Sequence, residues 1–379
     1  MNSDLLIIGG GVIGLSIARE MHKKGAGRIT VVDRGLLGGE ASWAAAGMLA
    51  PNIETDTSED FHRFGIESLE MYPNFAADLF AETGVNIELD RSGTLCLAFN
   101  ESETAELAET LRRQKLRNVP VEYLSGDAVR EIEPLVSASV QDALLYPSDC
   151  QVENRKVISA LRTFAKRSGV KIFENVAVTD LIIGRSKVLG VKTAIGEMHA
   201  DVTILATGAW TSLIKFGDVS IPGSVKPIRG QMISIETGAR EISRVIYSPR
   251  GYVVPRADGR VLVGATVEDV GFDKSVTAEG IDSLRSAGAE IIPRLGDLAI
   301  AERWAGLRPF AADGLPVLGD IPGYENIFVA TAHFRNGILL APKTAEIICD
   351  RILRNKTSKF LELYGVGRFS SVVNAKANS

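Results

Sequence analysis

The chain is poor in cysteine and has no excess of basic charge, and each shortage excludes a class of protein. Its 379 residues include only three cysteines, Cys96, Cys150 and Cys349, which lie far apart and form no CxxC pair. Such isolated thiols indicate a reducing compartment and argue against a disulfide framework or a metal site. The 42 basic and 47 acidic residues give a net charge of −5, so we expect no nucleic-acid partner.

Long apolar runs are also lacking. The most apolar stretch, residues 5–18, contains four glycines, and it is shorter than the roughly 20 apolar residues that a membrane-spanning helix needs. No basic segment precedes it and no small-residue cleavage site follows it, so we expect a cytoplasmic protein without a transmembrane segment. A composition of 45% hydrophobic and 23% charged residues is typical of an ordinary globular protein with one large domain or two.

What the chain does contain is glycine in an informative place. The segment LLIIGGGVIGLSIARE, residues 5–20, predicts a strand, a glycine turn and a helix. Gly9, Gly11 and Gly14 form a G-x-G-x-x-G motif, and a second predicted strand ends at Asp33, nineteen residues later. This order predicts a dinucleotide site with the pyrophosphate at the helix N-terminus and Asp33 on the ribose hydroxyls. The alternative is a glycine-rich turn that binds nothing.

The motif does not separate NAD from FAD, but the residues that follow it are informative. GGEASWAAAGMLAP, residues 38–51, is small and almost uncharged. A stretch of glycine, alanine and serine can lie flat along an extended ligand where bulky side chains would obstruct it. An ordinary loop has a similar composition, so the segment by itself leaves both interpretations open.

The predicted fold class is α/β, with a Rossmann-like dinucleotide domain interleaved with a second domain built on a large antiparallel sheet. VTILATGAW, residues 202–210, predicts another buried strand that extends the first sheet, whereas residues 227–267 contain short alternating strands with turn signals. Helices are predicted at residues 61–83, 101–117, 152–169, 277–293 and 342–353. The predicted first domain comprises residues 1–88, 146–218 and 304–379, and the predicted second domain comprises 89–145 and 219–303.

One charged residue stands where the pattern predicts burial. In IFVATAHFRNGILLAP, residues 327–342, Arg335 separates two apolar segments. An unpaired buried guanidinium costs several kcal/mol. Arg335 therefore either pairs with an acidic residue of the protein or binds an anionic ligand.

Several blocks of the sequence resemble one family. GGGVIG, ASWAAAGMLAP, ATGAW, GYVVPRADGRVLVGATVEDVGF, WAGLRPFAADGLPVLGD and HFRNGILLAP resemble the D-amino acid oxidase superfamily of flavoproteins and, within it, the bacterial glycine oxidases of thiamine biosynthesis. The resemblance covers nearly all of residues 1–353. It implies non-covalent FAD, oxidation of glycine and other small amines or D-amino acids, and O₂ as the electron acceptor. The expected assembly is a homo-oligomer, such as a tetramer.

The resemblance also implies roles for individual side chains at the substrate. The fork of an arginine matches a carboxylate, and Arg308 in AGLRPF occupies the carboxylate-binding position of the family. We expect Arg308 to be the main clamp, Arg335 to support it and Tyr252 to close the pocket, with weaker roles for Tyr247 and Met48. Structural ion pairs or plain packing are the alternatives for all five. A histidine base is not expected, because the substrate can enter with its amine already neutral.

The expected cofactor-binding residues come from the glycine turn, the small-residue stretch and the family blocks. Among them, the amides at the start of the predicted helix after Asn336 would stabilise the anionic reduced flavin. The full set is Gly9, Gly11, Val12, Ile13, Gly14, Asp33, Arg34, Ser42, Ala46, Gly47, Met48, Val176, Thr207, Gly208, Trp210, Arg335, Asn336, Gly337, Ile338 and Leu339.

Two other functions compete with an FAD-dependent amine oxidase. One is a flavin dehydrogenase of the same fold that passes electrons to a quinone or a protein, because oxygen reactivity depends on small features around the flavin. The other is a dinucleotide-binding regulator without turnover. Two arginines in apolar segments, Arg308 and Arg335, argue against the regulator.

Overall fold

The computed structural model describes residues 2–55, 58–214 and 225–369. Its strands are β1 (Asn2–Ile8), β2 (Ile29–Val32), β3 (Met48–Leu49), β4 (Thr94–Ala98), β5 (Glu122–Ser125), β6 (Asp142–Tyr146), β7 (Cys150–Gln151), β8 (Lys171–Phe173), β9 (Val178–Gly184), β10 (Lys187–Thr193), β11 (Gly196–Leu205), β12 (Lys226–Glu236), β13 (Val245–Ser248), β14 (Gly251–Pro255), β15 (Arg260–Gly264), β16 (Ile300–Phe310), β17 (Val317–Asp320) and β18 (Ile327–Thr331). Its α-helices are α1 (Val12–Lys23), α2 (Ala41–Ala44), α3 (Pro51–Glu54), α4 (Glu59–Thr83), α5 (Glu101–Leu116), α6 (Gly126–Ile132), α7 (Asn154–Arg167), α8 (Ala278–Ile291), α9 (Gly337–Arg354) and α10 (Lys359–Tyr364).

Alternating residues of β1 enter two different cores. Leu5 and Ile7 pack with helices α1, α4, α7 and α9 on one face of the sheet, and Leu6 and Ile8 pack with the β9–β11 side on the other. This is the two-residue period of a strand buried on both faces. The sheet order is β17-β18-β11-β1-β2-β8, and β1 runs parallel to both β2 and β11. Because the strands are parallel, their carboxyl ends meet at one edge.

A second sheet has the order β16-β12-β15-β14-β13-β4-β6-β5. All neighbouring strands in it are antiparallel except β13 and β4. Its own core includes Ile233, Val253 and Val263. A smaller apolar cluster joins this sheet to residues 44–48 and contains Ala44, Ala46, Tyr252, Trp304 and Met232. That cluster brings the small-residue stretch, whose β3 pairs with β7 in a separate two-stranded sheet, against the second sheet.

The predicted fold class is confirmed, since a largely parallel sheet with helices alternates along the chain with a mostly antiparallel sheet. One predicted domain boundary, between residues 303 and 304, falls inside β16, so residues 304–310 belong to the second sheet. Pairing with β12 continues as far as Phe310, and an apolar strand with a continuous partner does not change layer midway. The rest of the domain division stays a prediction.

Helix α9 begins at Gly337, where the sequence predicts a turn into a helix after Asn336, and it continues without a break into the helix predicted at residues 342–353, with Pro342 inside it. The helix before it in the chain, α8, and the long helix α4 begin within two residues of their predicted positions. Among the described residues, no helix combines the length and the apolar character that crossing a bilayer requires.

Candidate active site

A cavity of about 550 Å³ runs between the two sheets, along the carboxyl edge of the parallel strands. Its wall includes all the residues predicted from the sequence except three, Gly14, Tyr247 and Leu339. Gly14 packs behind the glycine turn, where an added Cβ would lie 1.9 Å from the carbonyl oxygen of Gly9. The Leu339 side chain is 1% exposed and belongs to the helical core. Tyr247 does not line the wall, but its hydroxyl accepts a hydrogen bond from Arg335, which does.

The glycine turn leaves room for a ligand that approaches its backbone. Gly9 has φ +105°, and a Cβ there would stand 2.3 Å from the Ala206 carbonyl oxygen. Gly11 precedes the first turn of α1 and supplies no side-chain cap, so the amides at that helix end face the cavity. One of them, the Val12 N–H, donates to Ser42 Oγ at 3.0 Å. A glycine turn that leads into a helix N-terminus is the geometry that binds a pyrophosphate.

Asp33 closes the glycine turn as well as facing the cavity. Its carboxylate accepts the Gly10 N–H at 2.7 Å and the Gly35 N–H at 2.8 Å. Burial raises the pKa of Asp33, although the two amide donors oppose this. The Val176 N–H donates to the Asp33 carbonyl at 2.8 Å, so a backbone contact from Val176 to a ligand would use its carbonyl oxygen.

Arg34 lies flat against Trp210 beyond Asp33, with its guanidinium carbon 4.7 Å from the ring centroid. Both residues line the cavity wall. The fingerprint places the pyrophosphate at Gly11 and the adenosine ribose at Asp33. The isoalloxazine ring of an extended flavin dinucleotide would then lie at the opposite end, beside Met48, Arg308 and the start of α9. The glycine turn at the start of α1, Asp33 beyond it and a cavity that continues past both fit FAD.

Arg308 stands at that opposite end and projects from β16. Its Nη1 donates to the Thr266 carbonyl at 3.0 Å, and within the described residues it forms no salt bridge with a carboxylate. Gly230 on the neighbouring strand makes room for it, because a Cβ there would lie 2.2 Å from Nη1. Burial lowers the pKa of Arg308, and the hydroxyl of Tyr252 opposes this by hydrogen bonding. A guanidinium held this way is a binding site for an anion.

Tyr252 fills the space beside Arg308. Its ring lies over Gly264, where a Cβ would be 2.6 Å from the ring atoms, and its side chain is 6% exposed. Burial raises the pKa of its hydroxyl, so the phenol stays protonated and can donate a hydrogen bond. Arg308 and Tyr252 thus lie side by side in the cavity wall, where the Tyr252 hydroxyl now donates to Met232 Sδ at 3.9 Å.

Arg335 has a partner in the protein. Its Nε and Nη2 donate to the two carboxylate oxygens of Glu54 at 2.6 and 2.7 Å, and Nη2 also donates to the Tyr247 hydroxyl at 2.6 Å. Burial opposes the charge, but the Glu54 carboxylate raises the pKa of Arg335 above its ordinary value. The alternative of a structural ion pair is therefore the one that the geometry supports, and Arg335 lines the cavity as half of a neutral pair.

Sequence reasoning missed Glu54, which also lines the cavity. It lies 281 residues from Arg335 in the chain. Nothing in the segment PNIET distinguishes it from any other short-helix glutamate. Only the packing of α3 against the turn before α9 brings the two charges together.

Met48 and His333 lie in different surroundings within the cavity wall. Met48 belongs to the cavity wall and packs against the cluster that includes Tyr252. His333 also lines the wall, where its Nε2 lies 3.0 Å from Thr344 Oγ1. Burial lowers the pKa of His333 to about 3. The imidazole is therefore neutral at ordinary pH and a weak proton acceptor.

In the part of the chain that the structure describes, no group of three or more histidine, cysteine, aspartate or glutamate side chains is placed to hold a metal ion. The cysteines Cys96, Cys150 and Cys349 are free thiols that stand outside the described wall of the cavity.

The comparisons with known proteins agree with this site. A family model described as FAD dependent oxidoreductase matches residues 4–351. The chain belongs to this family. It is an enzyme with FAD as its cofactor, and the resemblance found in the motifs is confirmed.

Similar proteins narrow the kind of oxidoreductase. The chain is 33% identical to a glycine oxidase of Pseudomonas aeruginosa, over 92% of this chain and 94% of that protein. It is 35% identical to a bifunctional protein ThiO/ThiG of Trichormus variabilis, over 97% of this chain and 55% of that protein. The crystal structure of a glycine oxidase from Geobacillus kaustophilus superposes with a TM-score of 0.91 at 31% identity and covers 96% of this chain and 98% of that one. With the family match, these similarities indicate an FAD-dependent amine oxidoreductase.

Proposed function

We propose that the protein oxidises glycine or another small amino acid at its α-carbon, giving an imine and hydrogen peroxide. Water would hydrolyse the imine to a 2-oxo acid, glyoxylate in the case of glycine, and to ammonia or an amine. The glycine oxidases among its relatives support this substrate class. The observation that carries the proposal is the Arg308 guanidinium, which no carboxylate among the described residues pairs and which lies beside the Tyr252 hydroxyl at the ring end of the cavity.

Arg308 would bind the substrate carboxylate with two parallel hydrogen bonds, and Tyr252 would add a third. Holding the carboxylate at one point fixes the direction of the Cα–H bond, and such orientation can supply a large part of the rate. Bound FAD would supply the acceptor for the hydride that leaves Cα and the route by which the two electrons reach O₂. Arg335 would contribute less to the carboxylate, since Glu54 and Tyr247 already accept from its Nε and Nη2.

The amine must be uncharged for its lone pair to assist the departure of the hydride. Arg308 favours this, because a cation in the pocket disfavours a second positive charge on the substrate. His333 is not needed as a base, and its low pKa makes it a poor one. We therefore assign the proton loss from the ammonium group to solvent before or during binding.

The relative named ThiO/ThiG joins a chain like this one to a second protein. We infer that the imine or its hydrolysis product serves thiazole formation in thiamine biosynthesis. The homo-oligomer stays a prediction.

A panel of small amines tests the proposal. Purified protein with FAD would be mixed with glycine, sarcosine, D-alanine and D-proline, first without air and then with it. Loss of the oxidised flavin absorbance without air, followed by rapid return and peroxide formation in air, is the expected result. Reduction without peroxide would identify a dehydrogenase with another acceptor. No reduction by any of the four would refute the substrate class.

A further inference from the structure

A proline interrupts the hydrogen bonding of α9, the helix whose start lines the ring end of the cavity. Pro342 lies inside this helix and has no N–H. In an α-helix that N–H would donate to the carbonyl four residues earlier, which here belongs to Ile338. Ile338 is 5% exposed, so water cannot readily replace the missing donor. The first turn of α9 therefore needs a donor from elsewhere.

Two buried hydroxyls of α4 supply what the helix lacks. The Tyr72 hydroxyl donates to the Ile338 carbonyl oxygen. Ser68 Oγ donates to the Leu339 carbonyl at 2.6 Å and accepts the Lys343 N–H at 3.4 Å. Tyr72 and Ser68 are both 0% exposed. The side chains thus enter the hydrogen-bond ladder of α9 on both sides of its proline.

The Tyr72 bond acts on an amide of the first turn of α9, and the Ser68 bond acts on the next peptide, whose Leu340 N–H donates to the Asn336 carbonyl at 2.8 Å and so holds that turn in place. A carbonyl and the following N–H share one peptide plane, so the Ile338 carbonyl is joined to the Leu339 N–H. Helical N–H groups point toward the N-terminus, which here is the cavity wall formed by Asn336, Gly337 and Ile338. A hydrogen bond accepted by the carbonyl polarises the peptide and strengthens its N–H as a donor.

We propose that Tyr72 and Ser68 are positioning residues that hold and polarise the first turn of α9 and thereby raise the reduction potential of bound FAD. Reduced flavin carries negative charge, and a positive helix end beside the ring stabilises it over the oxidised form. Neither side chain belongs to the cavity wall, so both act through Ile338 and Leu339. This proposal depends on FAD and not on the identity of the amine substrate.

The midpoint potential of the FAD-loaded protein tests the proposal directly. Tyr72→Phe should shift the equilibrium against reduction by about fivefold, the size of one hydrogen bond, which corresponds to a potential about 20 mV more negative for two electrons. Ser68→Ala should also make the potential more negative. If Tyr72→Phe does not fold, Ser68→Ala tests the proposal on its own.

Tyr364→Phe is the matched control. It also removes a buried hydroxyl beside α4, but the Tyr364 oxygen has no hydrogen-bond partner among the described residues, and its ring stacks on Phe64 at 5.6 Å. This variant should keep the original potential.

A rescue separates the hydrogen bond from the packing of the tyrosine ring. In the double variant Tyr72→Phe with Pro342→Ala, the new backbone N–H can donate to the Ile338 carbonyl, and the potential should return toward its original value. Recovery supports the proposal. An unchanged potential in both Tyr72→Phe and Ser68→Ala, with lower thermal stability alone, would show that the two hydroxyls only stabilise the fold.

Discussion

Arg308→Ala should abolish most of the affinity for small amino acids while leaving the fold intact. Within the described structure the guanidinium donates to the backbone carbonyls of Thr266 and Arg229 and is hydrogen-bonded to the Tyr252 hydroxyl, but it pairs with no carboxylate. Removing it therefore breaks no salt bridge in the free protein. Because burial lowers the pKa of Arg308, the cation is destabilising before substrate arrives. Thermal stability should be unchanged or slightly higher, as is common when a binding residue is removed.

The expected loss follows from the two charge-assisted bonds that a carboxylate would make with the arginine fork. Truncating one partner of a buried charged pair costs about 2–4 kcal/mol. Since each 1.36 kcal/mol is a factor of ten, kcat/KM should fall roughly 30- to 900-fold. Most of the fall should be seen in KM, because the carboxylate is bound in the ground state as well as in the transition state. Arg308→Lys keeps the positive charge but loses the planar fork of the guanidinium. Its kcat/KM should therefore lie between the values of the original protein and of Arg308→Ala.

Initial rates at varied substrate concentration, with thermal unfolding of the same preparations, measure both effects. Arg303→Ala is the matched control, since Arg303 is an exposed arginine on the same strand β16. It should leave KM unchanged. If Arg308→Ala also had the original KM, the guanidinium would not be the carboxylate clamp and the proposed substrate orientation would be wrong.

Two further predictions concern stability. Glu54→Gln removes the carboxylate partner of Arg335 and should lower the free energy of unfolding by about 1–3 kcal/mol in urea titration, because the ion pair that is lost has a buried carboxylate, 8% exposed. Glu302→Gln is the control: its carboxylate is 45% exposed and pairs with Arg155, so its loss should cost under about 1 kcal/mol. Equal losses would contradict the argument. Burial raises the pKa of Asp149 to about 8, above its unfolded value, so its protonated form contributes stability at low pH that is lost as the pH rises toward 8. Asp149→Asn should remove this dependence, which amounts to at most about 1.4 kcal/mol per pH unit, and a thermal-unfolding profile with the original slope between pH 5 and 8 would show that Asp149 does not titrate there.

The dinucleotide half of the site could be predicted from the sequence because its signal is local. The strand, the turn of Gly9 and Gly11, the helix and the acid at Asp33 all fall within one short unit, and the period of apolar residues changes from two to helical spacing at the glycines. Gly14 has a local steric reason, since an added Cβ would meet the Gly9 carbonyl oxygen, and Gly9 has a positive φ that favours glycine, although its close approach to Ala206 depends on the distant chain. The structure places these residues along one cavity wall.

The roles of Arg308 and Tyr252 were predicted only through family resemblance. An arginine in AGLRPF and a tyrosine in GYVVPR are ordinary strand residues by pattern alone. They meet because β12 and β15 lie between their strands, and because Gly230 and Gly264 leave space for the two side chains. No periodic pattern in the sequence indicates that two glycines on neighbouring strands leave this space.

Tertiary structure alone decided what Arg335 does. The sequence determined that a guanidinium interrupts two buried segments and must be compensated, since burial of an unpaired charge is costly. It did not determine the compensating group, because Glu54 is brought there by α3, far away in the chain. Likewise, Pro342 in the sequence indicates that one hydrogen bond of the helix is missing. Only the packing of α4 against α9 shows that the Tyr72 hydroxyl replaces the missing N–H donor. Local order follows from short-range sterics and periodicity, whereas partners in space follow from how the layers pack.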